Sequence, residues 1–173
     1  MTSNTSIRIP VYVDGSYLYN GTDNAIAGSG IWFAHQHPLN TYKAVKGIRV
    51  TNITAENLAA IEACKICLQH DINAIKIITD SKYLISCMTG HMDKWKTYGW
   101  LNAKAKPVVN RDLLQQLDGL MQQIDVEFEF SPGHRGIYGN EKADELAKIG
   151  SKINPIGSQH SRAAKNYPIT YNH

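Results

Sequence analysis

Four carboxylates stand where strand-like or helix-like segments of this chain meet. They are Asp14 in Val-Tyr-Val-Asp-Gly-Ser, Glu56 in Thr-Ala-Glu-Asn-Leu, Asp80 in Ile-Ile-Thr-Asp-Ser and Asp144 in Asn-Glu-Lys-Ala-Asp-Glu-Leu. A carboxylate at the polar end of an apolar strand is destabilising unless a cation answers it. Four of them gathered from distant segments would repel one another strongly. A divalent metal is the simplest compensation, and oxygen-only ligands select hard cations such as Mg2+ or Mn2+. Such sites serve enzymes that cut or transfer phosphodiesters. Taken singly, each acid has an ordinary explanation. Asp-Gly is a common turn pair, Asp80 can cap a helix, and an acid in a helix's first turn, as expected for Glu56, is favoured by the dipole.

The elements that must hold these acids can be read from hydrophobic period. Arg8–Val13 reads as a strand ending at Asp14, Ala27–Ala34 as a second and Tyr42–Val50 as a third, and short turns between them predict an antiparallel meander. The period then changes. Thr54–His70 reads as a helix with Thr54 as N-cap, Ala74–Thr79 as a strand, and Lys82–Thr89 as a helix capped by Asp80-Ser81. A short helix is expected at Lys94–Tyr98, a longer one at Asn110–Gln123, a strictly alternating strand at Asp125–Phe130 and a last helix at Gly139–Lys148. This order predicts an α/β fold: a mixed five-stranded sheet, with the antiparallel meander of strands 1–3 joined by parallel strands, flanked by helices.

With 173 residues and 43% apolar content, the chain is expected to fold as one domain over residues 7–150. Residues 151–173, with little apolar periodicity, are expected to be a mobile or extended tail. No run approaches the roughly 18–20 apolar residues of a membrane span, and the N-terminus lacks the apolar stretch of a signal peptide. The net charge of +3 is too mild to identify a partner by itself. Cys64 and Cys67 have the spacing of a redox or metal pair, but they lie inside a helical pattern with no second pair to complete a site. Three cysteines without a secretion signal point to reduced thiols and an intracellular, cytoplasmic or nuclear, setting.

The most specific signal is Ser131-Pro-Gly-His-Arg-Gly-Ile-Tyr-Gly-Asn-Glu-Lys-Ala-Asp-Glu-Leu-Ala. A strand ends, a Gly-rich loop presents His134, and a helix follows with Asp144 in its second turn. Here the chain resembles the type 1 ribonuclease H family, most closely the cellular enzymes of eukaryotes and their retroelement relatives. Asp14-Gly15-Ser16, Thr51–Glu56, Thr79-Asp80-Ser81, Trp95–Trp100 and Pro132–Asp144 follow the family's order and spacing. The resemblance implies a ribonuclease H-like fold and an endoribonuclease that cleaves the RNA strand of RNA–DNA hybrids, leaving 5′-phosphate and 3′-hydroxyl ends. It implies two Mg2+ ions, with Mn2+ as a substitute, on Asp14, Glu56, Asp80 and Asp144. It also makes His134 the proton-transfer residue. Relatives often add an N-terminal hybrid-binding module, which nothing before residue 8 could encode, so a bare catalytic domain is expected.

By the same resemblance, Asn20 and Asn52 match positions that touch the hybrid. Arg49, Thr51 and Asn110 match a pocket for a DNA phosphate, a role suited to a charged fork with a hydroxyl and an amide. Tyr83 and Trp95 match the channel for the DNA strand. Lys82, Lys94, Lys96, Lys104 and Lys106 form a thin basic protrusion, in which cations and aromatics interleave as nucleic-acid contact requires. Trp100 reads as core. Two positions depart from the pattern: Ile53 stands where the family often has Gln, and His91 where the eukaryotic enzymes have Trp, so weaker hybrid affinity is expected. The partner is a hybrid and not a membrane, and a monomer is expected. The alternatives are a non-catalytic hybrid-binding module, or another polynucleotidyl transferase of the same fold.

Overall fold

The computed structural model describes residues 7–18, 26–46 and 51–153. Asn20, Arg49 and residues 154–173 of the tail expected over 151–173 lie outside the described residues, as does the third strand's expected continuation over 47–50. Five strands form one sheet in the order β3-β2-β1-β4-β5. Strand β1 (Ile9–Leu18) pairs antiparallel with β2 (Ile26–Trp32), and β2 antiparallel with β3 (Thr41–Val45). On its other side β1 runs parallel to β4 (Ala74–Thr79), and β4 parallel to β5 (Asp125–Phe130). The expected mixed sheet, meander first and parallel strands after, is therefore the observed one.

Strand alternation decides which helix each face receives. Val11, Val13, Ile31, Ile75 and Ile77 are fully buried on one face, beneath helix α1 (Asn52–Gln69). Helix α4 (Arg111–Met121) packs on α1 through Leu114 and Leu117. Sandwiched between sheet and helix, α1 buries Ala55, Ala59, Ala60, Ile61, Ala63, Cys64 and Cys67 around most of its girth. Its small side chains let the backbone approach the sheet closely. Burial pushes the Cys64 thiol up to about 12 and the Cys67 thiol to about 11, so both stay protonated and act as packing groups.

Helix α5 (Tyr138–Lys152) covers the opposite face, against β1, β2 and β3. Gly28 and Gly30 make that possible: a side chain at either would run into the α5 backbone at Ala147 or Ala143. Gly30 is the register partner of Asp14, so this close packing carries α5 past the Asp14 side chain. Beyond α5 the same face of β4 and β5 is dressed with ion pairs, Lys76 to Glu129 at 3.0 Å and Arg8 to Asp125 at 2.7 Å. Exposed pairs of this kind contribute at most about 1 kcal/mol each.

Several boundaries differ from expectation. Strand β1 does not end at Asp14 but continues to Leu18, because β2 keeps pairing with it after β4 has stopped at Tyr12↔Ile78. The N-cap of α1 is Thr51, whose hydroxyl accepts from the Thr54 N–H at 3.1 Å; Thr54 is inside the first turn and Glu56 in the second. The two expected helices after Asp80 are one wound segment: α2 (Lys82–Ser86), a π-helical turn (Cys87–His91) and α3 (Met92–Thr97). The wide turn keeps Cys87, Met88 and Met92 all against the core. Helix α4 starts after Asn110, whose φ of 57° is left-handed. Helix α5 runs on to Lys152, with Ser151 buried and Gly150 packed on the Lys43 backbone. Among the described residues no helix is long and apolar enough to cross a membrane.

Candidate functional site

Asp14, Glu56 and Asp80 come together at the end of the sheet where β1 and β4 part. One oxygen from each lies within 4.8 Å of the other two. Asp14 sits two residues beyond the last β1–β4 pair, and Asp80 directly follows β4. Glu56 arrives from α1, and Gly15 explains how: a side chain there would stand 2.5 Å from the Glu56 backbone nitrogen. The Asp-Gly pair is therefore a docking point for the helix and not a turn.

The electrostatics follow from burial. Asp14 is 7% exposed, and loss of hydration pushes its carboxyl up to about 8, with repulsion from Asp80, Asp144 and Glu56 adding to the shift. The Gly15 N–H, donating to Asp14 Oδ1 at 2.8 Å, opposes it. Glu56 is raised by burial and by Asp80, and the Ser81 hydroxyl and Asn52 amide oppose the rise. Asn52 Nδ2 donates to Glu56 Oε1 at 2.7 Å. Asp80 is raised chiefly by burial, with the His134 imidazole acting the other way. Three acids are thus held together at an energetic disadvantage that a cation would relieve.

Asp144 is not a member of that three-oxygen group. From α5 it is near enough to repel Asp14 and Asp80, but its Oδ2 accepts from Lys148 Nζ at 2.5 Å, one helical turn on. The His134 loop is seated on Asp80 by Gly133, where a side chain would strike the Asp80 carboxyl. His134 itself is exposed, with a left-handed φ of 54° in the turn that follows β5.

The expected substrate residues are placed unevenly. Thr51 spends its hydroxyl on capping α1, and Asn52 spends its amide on Glu56. The Tyr83 hydroxyl donates to the Val109 carbonyl at 3.1 Å; burial pushes it up to about 12, the Cys87 thiol adds to the rise and the Asn110 side chain opposes it. Trp95 stacks on His91 with ring centroids 5.3 Å apart and lies against the buried Trp100. The departure at residue 91 therefore leaves an aromatic stack in place. Lys96 pairs with Asp118 at 3.1 Å, and Lys82 lies over the Phe130 ring. Among the described residues Lys94, Lys104 and Lys106 make no ion pair. Asn102 Oδ1 accepts from the backbone N–H groups of Lys104 and Lys106, folding a compact exposed turn that presents both lysines.

The sequence points to Ser81 as a helix cap, a role it fills by accepting from the Leu84 N–H at 3.2 Å, but not to its contact with Glu56, nor to Gly133 or Lys148 as site residues. The i, i+4 spacings of Asn52 to Glu56 and Asp144 to Lys148 were the available signals.

The donor set of the group is three carboxylates without nitrogen or sulfur, which fits a hard divalent cation. A family model described as RNase H matches residues 7–152. Ribonuclease H1 of Rattus norvegicus is 38% identical over 144 residues, which is 83% of this chain and 50% of that protein. Ribonuclease H of Ruthia magnifica subsp. Calyptogena magnifica is 37% identical over 144 residues, covering 82% of this chain and 94% of that one. The chain spans about half the length of the mammalian curated relatives it matches. Among solved structures, LC9-RNase H1, a type 1 RNase H with the type 2 active-site motif, superposes with a TM-score of 0.69 at 25% identity, covering 82% of this chain and 71% of that chain. The solution structure of the PFV RNase H domain gives 0.65 at 28% identity, covering 82% of this chain and 93% of that one.

Proposed function

Because this chain belongs to the ribonuclease H family, we propose that it is an endoribonuclease that hydrolyses the RNA strand of RNA–DNA hybrids, leaving 5′-phosphate and 3′-hydroxyl ends. The observation that carries this reading is the meeting of Asp14, Glu56 and Asp80, drawn from a strand, a helix and a strand end, beneath a loop that bears His134. These three acids would hold Mg2+, with Mn2+ as a substitute and Asp144 completing a site for two ions. When bound, divalent metal supplies the Lewis acidity that makes water a nucleophile and neutralises charge on the departing 3′ oxygen.

The chain's own residues do the rest. Asn52 and Ser81 hold Glu56 in one rotamer, which spares the site the entropy of ordering it during reaction. The Gly15 N–H fixes Asp14. The imidazole nitrogen of His134, exposed above Asp80, takes or delivers a proton as the product leaves. The Asn102 turn offers Lys104 and Lys106 to phosphates, and the His91–Trp95 stack offers a flat apolar surface to sugars. Tyr83 and Asn110 form a polar edge for the DNA strand. The chain acts as a monomer, and its three free, buried thiols suit an intracellular, cytoplasmic or nuclear, compartment.

The test is a labelled RNA–DNA hybrid incubated with Mg2+ beside single-stranded RNA, duplex RNA and duplex DNA. Cuts confined to the hybrid's RNA strand, with 5′-phosphate ends, are expected. Equal cutting of single-stranded RNA, or binding of the hybrid with no cutting at saturating Mg2+, rejects the reading.

A further inference from the structure

Lys148 stands apart from the other lysines of the site. Its ammonium is 2.5 Å from Asp144 Oδ2, and it is drawn toward Asp14 as well as Glu145. Asp144 is the one acid of the four that does not share the three-oxygen group. The two facts have one geometric cause. An i, i+4 spacing on α5 lets Lys148 reach back along the helix to Asp144 and hold its carboxylate. A cation arriving at Asp14, Glu56 and Asp80 thus meets a fourth acid already in use by a cation of the protein's own.

We propose, resting on the functional reading above, that Lys148 is a tethered competitor cation: it holds Asp144 aside and thereby sets the divalent-ion concentration at which the fourth carboxylate joins the site. The competition is weighted for release. The lysine side chain is 46% exposed, so its attraction for Asp144 is screened by water. An exposed pair of this kind shifts an equilibrium only about twofold, whereas a divalent ion among carboxylates interacts far more strongly. Below that threshold the ammonium partly neutralises the acid cluster. Above it, Asp144 turns to the metal and Lys148 is freed.

Lys142 supplies an internal control. It lies on the same helix and is bonded to its own acid, Glu145, at 2.8 Å, but it is two residues from Asp144 and on another face. Deleting either lysine removes one positive charge, and only Lys148 touches Asp144.

The experiment measures Mg2+ binding to the hybrid-free protein by isothermal titration calorimetry, while the 13C shift of the Asp144 carboxyl is followed by NMR. Lys148→Met is expected to tighten binding about twofold to threefold, Lys142→Met to leave it within error of the parent, and Lys148→Arg to behave as the parent. In the parent, the Asp144 carboxyl shift moves at a higher Mg2+ concentration than heat release from the first site; in Lys148→Met the two coincide. Equal effects of Lys148→Met and Lys142→Met, or weaker binding in Lys148→Met, overturn the proposal, the latter making Lys148 a support for Asp144. Neither readout depends on cleavage, so failure to cut hybrid rejects the functional reading without touching this result.

Discussion

The floor and the rim of the site are built on opposite terms. On the floor, Asp14 is buried among its own kind, with its carboxyl driven up to about 8 and the nearest opposing group a backbone N–H. On the rim, Lys104 and Lys106 stand in water on a turn that folds itself through Asn102. The floor is unfavourable for the fold and is held by the sheet, α1 and α5 around it. The rim is nearly neutral for the fold and leans on little else. A group that must act on a reacting phosphate needs a fixed, under-neutralised position. A group that only attracts a backbone needs charge within reach of solvent. Substitutions should therefore separate into those that change turnover and those that change affinity.

The largest expected effect comes from the floor. Asp80→Asn keeps the shape and removes one negative charge from the acid cluster, and hybrid cleavage should fall about 10^3-fold, equivalent to about 4 kcal/mol of transition-state stabilisation. Hybrid affinity by filter binding should stay within about threefold, since phosphate attraction comes from elsewhere. A parallel loss of binding would erase the distinction between floor and rim. Next, His134→Ala should lower kcat about a hundredfold with little change in KM, and should flatten the pH profile of kcat. An unchanged profile would mean the loop histidine is not the proton-transfer group.

The third effect is on stability and runs opposite to activity. A carboxyl whose folded value lies above its unfolded one binds a proton more tightly when folded, so stability falls as pH rises between about 4 and 8. Asp14→Asn removes that charge. In EDTA at pH 8 it should raise stability by about 2 kcal/mol, or Tm by roughly 6 °C, with a smaller gain at pH 5. A destabilised variant would show that Asp14 is already satisfied without metal. The smallest effect belongs to the rim. The Lys104→Ala, Lys106→Ala double variant should raise KM about fivefold and lower the slope of log affinity against log salt by about two, leaving kcat alone.

What the sequence made legible follows the same division. The sheet order and the meeting of Asp14, Glu56 and Asp80 could be read because each acid is anchored next to a strongly periodic apolar segment. Val11-Tyr-Val13, the α1 pattern and Ile75–Ile78 fix where the backbone goes, and the acids follow. Choices made by side chains after the backbone is fixed were not legible. Asn52, one turn before Glu56, donates its Nδ2 to that carboxylate at 2.7 Å, a pairing that the apolar pattern does not reveal. Asp144, expected with the other three, has its Oδ2 bonded to Lys148 Nζ, a rotamer choice that the apolar pattern does not reveal. The π-helical turn was also hidden, since one extra residue in a winding leaves no mark on an apolar pattern only a few turns long.

The most direct test of the account is anomalous diffraction from crystals of the protein soaked in Mn2+. A peak within ligand distance of Asp14, Glu56 and Asp80 together is the predicted result. Density confined to exposed acids such as Asp125 or Glu129, with those three carboxylates turned apart, would contradict it.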